Sequence, residues 1–375
     1  MTSLFFYGTL RDPELMRIVM GAEAGGATIT EAVLPDHAVY WANGQSFPTI
    51  EACPGAEAPG VLLTGLSETA VARFDFYEGS FGYTLRPVEV RTPQGEHTAL
   101  VYFPDPGLWQ AGAPFDLALW QRQNGPLSRL SAVEEMGYFG QISGEELARR
   151  VPMIRARAAS RLAAARGVPA ELRSAQSRDS IDQVSVETVY AGFFLTQVHR
   201  LRHPTFAGGM SAELRREVFV AVDAAIVLPY DPVRDRVLLV EQFRMGPFGR
   251  GDPRPWMLEP VAGHVDPGET PEEAARRECR EEAQLELTGL ERINGFYATP
   301  GTSTEYFHCY LGFCDLPELG QGSGGLDVEH EDIRTHVLSF ADAMQLCTTG
   351  EADNGPLIVA LTWLALHRER LRAAA

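Results

Sequence analysis

The hydrophobic and polar positions of this chain change their rhythm twice. Ser3-Leu-Phe-Phe-Tyr7 is a short apolar run that stops at Gly8, and Asp12-Pro13 then supplies a cap and a first-turn proline for a helix reaching Met20. Apolar runs at 60–66, 88–91 and 99–103 predict strands, so the front of the chain reads as mixed α and β. From Pro104 to about Arg178 the pattern is helical and rich in Ala and Arg. Ser143-Gly-Glu-Glu146 forms a capping box, Pro152 is expected to interrupt, and a second helical stretch runs from Ile154 to Gly167. Beyond Asp182 strands dominate: 184–190, 193–202, 216–222, 224–230, 236–244, 256–262, 287–293, 295–301 and 306–313. Helical segments interrupt them, which predicts an α/β fold with a mixed sheet in an α/β/α sandwich. We expect three regions: an α+β domain over 1–105, a helical connector over 106–180 and the sandwich over 181–375.

One stretch breaks the amphipathic rule. Gly263-His-Val-Asp-Pro-Gly-Glu269-Thr-Pro leads into a helix carrying Glu278, Glu281 and Glu282. At about 100° per residue these three project from one side, and like charges at such spacing repel. A cation is expected to sit there. Oxygen ligands with room for water and phosphate suit Mg2+ or Mn2+ better than Zn2+, which favours His and Cys. Thr270 with Glu273 three residues on specifies the helix start, and Arg277 can reach back to Glu269. Gly322-Ser-Gly-Gly-Leu-Asp-Val-Glu329-His-Glu331 is a glycine loop ending in acids, able to close over a substrate.

Composition narrows the partners. Among 375 residues the net charge is −18, which argues against nucleic-acid or anionic-membrane binding, so an anionic substrate must meet metals and a few arginines. The arginines at 149, 150, 155, 157, 161 and 166 lack interleaved aromatics for base stacking and read as a solvated helix face. The five cysteines show no metal-binding spacing and read as free thiols. Residues 1–20 contain four charges and no continuous apolar core, so no signal peptide is expected and a cytoplasmic location follows.

The stretch from Gly263 through Arg277-Glu278-x-x-Glu281-Glu282 resembles the Nudix box. Two positions depart from it: Cys279 occupies an aliphatic site, and Gln284 stands where the family usually has Gly. If the backbone there has positive φ, Gln costs on the order of 1 kcal/mol. With Phe193, Arg216, Glu241-Gln-x-Arg244, Pro300-Gly-x-x-x-Glu305 and Ala352-Asp-Asn354, residues 184–372 resemble bacterial ADP-ribose pyrophosphatases. That resemblance implies metal ligands at the Ala262 carbonyl, Glu278, Glu282 and Glu331, with Glu281 alongside, and Glu329 as the base that activates water. It also implies adenine binding by Phe193 and Arg216, partly across a homodimer interface, and placement of the diphosphate and terminal ribose by Arg244 and Glu305. The front of the chain resembles the gamma-glutamylcyclotransferase-like fold through Tyr7-Gly8-Thr9-Leu10, a substrate loop, and Glu78, an acid/base glutamate. The tandem of both parts resembles tellurite-resistance proteins. The competing functions are hydrolysis of another nucleoside diphosphate sugar, gamma-glutamyl cyclotransfer as the main activity, and an ADP-ribose sensor that does not hydrolyse.

Overall fold

The computed structural model describes residues 2–79, 82–168, 171–325 and 332–375. The chain divides into two compact units, Met1–Gly167 and Val168–Ala375.

In the first unit, β1 (Thr2–Phe6) is followed by α1 (Pro13–Met20), β2 (Thr28–Ala42), β3 (Pro48–Leu66), α2 (Glu68–Glu78), β4 (Tyr83–Thr92), β5 (Gly95–Pro104) and β6 (Ala111–Pro114). The strand order is β3-β1-β5-β4-β2-β6, and β3 also pairs β2, so the sheet closes on itself and buries its inner face. Phe5, Tyr7, Leu34, Ile50, Leu62 and Val101 fill that interior. β1 runs parallel to β5, and its neighbour β3 is antiparallel.

Three helices complete this unit: α3 (Leu117–Gln123), α4 (Gly125–Gly137) and α5 (Gly144–Ala164). They do not form the separate connector expected over 106–180. The reason is Asp12, buried at the start of α1, which accepts from Leu15 N while Arg129 on α4 binds it through Nε at 2.9 Å and Nη2 at 2.6 Å. Gln121 on α3 donates to the same carboxylate at 2.8 Å, and Trp120 Nε1 donates to Ser46 O at 2.9 Å. Nor does Pro152 interrupt, since α5 passes through it as one helix. The arginines of α5 are largely satisfied within this unit: Arg150 pairs Glu146, and buried Arg157 pairs Glu134 on α4.

The second unit opens with a three-stranded antiparallel sheet, β7 (Asp182–Ala191), β8 (Leu195–Arg202) and β9 (Leu214–Val220). A larger mixed sheet follows from β10 (Ala224–Asp231), β11 (Arg236–Phe243), β12 (Trp256–Glu259), β13 (Val261–His264), β14 (Gly289–Tyr297), β15 (Tyr306–Phe313), β16 (Gly320–Gly324) and β17 (Ile333–Ser339), with the short α6 (Met245–Arg250) after β11. Its main path is β14-β15-β10-β11-β17-β16, with β12 on β11 and β13 on β10; β10 and β15 are parallel. β10 is buried along its whole length, as a strand covered on both faces must be. One face is covered by α7 (Pro271–Ala283) through Ala274, Ala275 and Cys279. The other is covered by α8 (Phe340–Thr349) and α9 (Gly355–Ala373) through Ala343, Leu357, Leu361 and Leu364. This is the α/β/α sandwich expected, and Cys279 serves as a small apolar residue. Among the described residues no helix is long and apolar enough to cross a membrane.

Candidate active site

The carboxylate helix is placed by a strand and a cap. β13 pairs antiparallel with β10, setting Gly263 opposite Ala225 and Ala262 opposite Ile226. The chain then turns into α7, where Thr270 Oγ1 accepts from Glu273 N and the Glu273 carboxylate accepts from Thr270 N at 2.7 Å. These reciprocal bonds satisfy the first free amides of the helix and pull the Glu273 carboxyl below its usual range. Glu278 then lies directly on Gly263: a Cβ there would overlap its carboxylate, which is why the backbone must be glycine at this point. Glu282, 2% exposed, accepts from Ala262 N at 3.1 Å. The carboxylates thus lie against the strand that carries the Ala262 carbonyl.

Arg277 is the hub of the loop. Its Nε and Nη2 hold both oxygens of Glu269 at 3.0 Å, and Nη2 also donates to His264 O at 2.9 Å. Its Nη1 reaches Glu278 at 2.6 Å and Glu281 at 3.0 Å. Bonds to Glu269 and the neighbouring carboxylates raise the guanidinium pKa well above its ordinary value, so it stays cationic. α7 ends with Gln284 in the left-handed region, φ 55° and ψ 34°, where Gln284 N donates to Arg280 O and Leu285 N to Cys279 O. This is the positive φ that makes Gln costly; nothing in the structure explains its presence.

The acidic loop approaches the same helix. Gly324 packs against the Glu282 carbonyl where a Cβ would not fit, and Gly325 N donates to Glu281 O at 3.3 Å. Glu329 and Glu331 lie outside the described residues. Among the described residues no three His, Cys, Asp or Glu side chains stand together in metal-holding geometry, and Arg277 neutralises two of the expected carboxylates. The donor chemistry of Glu278, Glu281 and Glu282 beside the strand that carries Ala262 is nevertheless that of a hard divalent cation, not of zinc.

Of the expected substrate residues, Phe193 lies beside the loop and the others are placed by separate contacts. Phe193 stacks over His264 with ring centroids 6.5 Å apart and meets Phe194 edge-on. Arg216 is exposed on β9 opposite His199. β9 is stitched to the loop bearing Glu305 by Phe219 N to Thr302 O and Thr304 N to Phe219 O. Burial pushes the Glu305 carboxyl up, and the charge of Arg244 pulls it back. Arg244 is held by Glu259, at 2.7 Å through Nε, and Glu259 also accepts from Asn354 Nδ2 at 2.9 Å. Glu259 braces Arg244 and was not among the residues expected from the sequence, where no local pattern marks it.

In the first unit Tyr7 is buried and donates to Tyr102 O at 3.0 Å. Gly8 passes close to Pro48, Thr9 begins a single 3-10 turn, and Leu10 is core. Burial pushes the Glu78 carboxyl up to about 7, and its charge raises the phenols of Tyr7, Tyr77, Tyr83 and Tyr102 further than burial alone. The charge of Glu78 therefore reaches four tyrosine phenols.

Comparison with known proteins agrees with both halves. The NUDIX domain model matches residues 220–361, and a model described as gamma-glutamyl cyclotransferase, AIG2-like, matches residues 4–122. The chain belongs to the Nudix family and is a Nudix hydrolase. Its relatives include the ADP-ribose pyrophosphatase of Escherichia coli K12, 41% identical over 195 residues, covering 52% of this chain and 92% of that protein. The ADP-ribose pyrophosphatase of Haemophilus influenzae is 36% identical, covering 52% and 91%. The GDP-mannose pyrophosphatase of Yersinia enterocolitica is 29% identical, covering 49% and 97%.

Proposed function

We propose that the second unit hydrolyses the diphosphate of ADP-ribose to AMP and ribose 5-phosphate, using Mg2+ or Mn2+. The observation that carries this is the Arg277 fork, which aligns Glu278 and Glu281 beside the Ala262–Gly263 strand, together with relatives called ADP-ribose pyrophosphatases at 41% and 36% identity. Glu278, Glu282, the Ala262 carbonyl and Glu331 are assigned to hold the cation, with Glu281 alongside. When bound it neutralises the diphosphate and lowers the pKa of the attacking water. Glu329 accepts the proton from that water. Arg277 and Glu269 fix the loop so that the carboxylates do not swing into solvent. Phe193 stacks on the adenine, Arg216 holds it, and Arg244, braced by Glu259, positions the diphosphate with Glu305 at the terminal ribose. The exposed apolar side chains of β7, Val184, Val186, Val189 and Tyr190, support a homodimer formed through this unit. A monomer by light scattering refutes that part.

The test is a substrate panel of ADP-ribose, GDP-mannose and other nucleoside diphosphate sugars with Mg2+ and Mn2+, products separated by chromatography. Preference for ADP-ribose with release of AMP is expected; preference for GDP-mannose overturns the substrate assignment.

A second reading is favoured by Glu78, whose carboxyl at about 7 suits proton transfer at neutral pH. It assigns the first unit a cyclotransfer reaction on gamma-glutamyl amines, with Tyr7–Leu10 as substrate loop. Glu78→Gln, assayed on those compounds, tests it; turnover unchanged from the unsubstituted chain overturns it.

A further inference from the structure

The segment that joins β9 to β10 runs alongside the loop that carries Glu305, and alternate residues tie the two together. Phe219 N donates to Thr302 O at 2.8 Å, and Phe219 O accepts from Thr304 N at 3.0 Å. Ala221 N donates to Thr304 Oγ1 at 2.9 Å, and that hydroxyl donates to Ala221 O at 2.8 Å. The third link is Asp223, 8% exposed, whose Oδ2 accepts from His308 Nε2 at 2.9 Å. An ionised carboxylate only accepts, so the imidazole carries its proton on Nε2. The Tyr306 ring packs edge-on against the imidazole with centroids 5.1 Å apart, which further fixes the orientation of His308.

Asp223 stands just before β10, and its carbonyl accepts from Val265 N at 3.0 Å, where β13 leaves the sheet for the metal loop. Ala225 lies opposite His308 on β15 and opposite Gly263 on β13. Residues paired in this way share a face, so His308 stands on the face where Gly263 meets Glu278, two strands or roughly 10 Å away. Asp223 therefore joins two parts of the site. Its carboxylate is held from β15, three residues after Glu305, and its carbonyl holds the loop that leads to Glu269.

We infer that His308 is a positioning residue for diphosphate hydrolysis: through Asp223 it fixes the spacing between the metal loop and the Glu305 loop, an inference that rests on the cation and Glu305 meeting the diphosphate and the terminal ribose of one substrate. A buried carboxylate deprived of its donor turns toward water, and the carbonyl that holds Val265 shifts with it. The carboxylates assigned to the cation have their own anchors, Glu278 in Arg277 and Glu282 in Ala262 N. Releasing His308 therefore disturbs the alignment of the substrate and leaves the cation site in place.

The experiment compares His308→Gln, His308→Asn and His308→Leu with the parent chain on the nucleoside diphosphate sugar that the parent hydrolyses fastest. A mistaken substrate assignment then shows in the parent, and a mistaken role for His308 only in the variants. The amide nitrogen of Gln reaches the position of the imidazole Nε2, and that of Asn only the position of Nδ1. His308→Leu and His308→Asn are expected to raise KM by about fivefold or more with the Mg2+ midpoint within about twofold of the parent, and His308→Gln to keep KM within about twofold. In an Asp223→Ala background, His308→Leu is expected to add no further loss. A folded His308→Leu or His308→Asn with parental KM, a Gln variant as impaired as Asn, additive losses with Asp223→Ala, or a Mg2+ midpoint that rises in step with KM overturns the proposal. Where His308→Leu melts abnormally, the Gln and Asn variants, which differ by one methylene, decide.

Discussion

Gly263→Ala is a small change with a sharply divided expectation. A Cβ at 263 falls inside contact distance of the whole Glu278 carboxyl, lying 2.6 Å even from the farther oxygen, Oε2. The obstruction is the end of a flexible side chain and not backbone, so the carboxylate swings away and the strand stays. The swing breaks the 2.6 Å bond from Arg277 Nη1, a charge-assisted contact worth about 1.5–3 kcal/mol when well formed. Arg277 keeps Glu269, Glu281 and the His264 carbonyl, and Ala in a strand recovers about 0.5–1 kcal/mol relative to Gly. The net loss is about 1–2 kcal/mol, a few degrees in melting temperature. The functional loss is larger, because the side chain assigned to the cation no longer points at it; displaced ligand geometry typically costs about 10–100-fold in metal affinity or activity. The assay is hydrolysis of ADP-ribose over a Mg2+ titration beside a thermal melt of the same sample. A modest shift in melting with a large rise in the Mg2+ midpoint is expected. A variant with parental turnover and an unchanged Mg2+ midpoint refutes the assignment of Glu278.

Three further outcomes follow from the geometry. Gln284→Gly relieves a left-handed residue at φ 55° and is expected to stabilise the second unit by about 1 kcal/mol in denaturant unfolding, with hydrolysis unchanged; a loss of stability contradicts the strain argument. Glu259→Gln removes the carboxylate that braces Arg244, and is expected to raise KM for ADP-ribose several-fold with a smaller change in kcat; an unchanged KM contradicts the positioning role. Glu78 and Glu135, both pushed up to about 7 by burial, hold protons in the folded chain that the unfolded chain releases near 4.5. Their contribution to stability therefore falls as pH rises from about 5 to 7, and Glu135→Gln is expected to flatten that slope in unfolding curves taken across the window.

The sequence made the sandwich readable because its signals are local. The 224–230 and 236–244 runs, the Thr270 cap and the carboxylate spacing all act within a few residues. What stayed hidden depends on partners far apart in the chain. The helices of 106–180 look like a connector until Arg129 is seen on Asp12, 117 residues earlier. Strand β2 was missed because a bulge at Pro35–His37, with Asp36 at φ 57°, breaks its alternation. Glu259 gave no recognisable pattern, since its meaning comes from Arg244 across a hairpin and from Asn354, 95 residues on. Glu135 likewise reads as an ordinary helix acid until its burial without a partner is known.

The central claim rests on the α7 carboxylates, and Glu282→Gln tests it most directly. The residue is almost fully buried, and its amide replacement keeps the shape of the side chain that meets Ala262 N. With ADP-ribose and Mg2+, the parent chain is expected to release AMP and ribose 5-phosphate in equal amounts, and the variant to lose at least about 100-fold in kcat while remaining folded. Equal turnover by the two proteins contradicts the account.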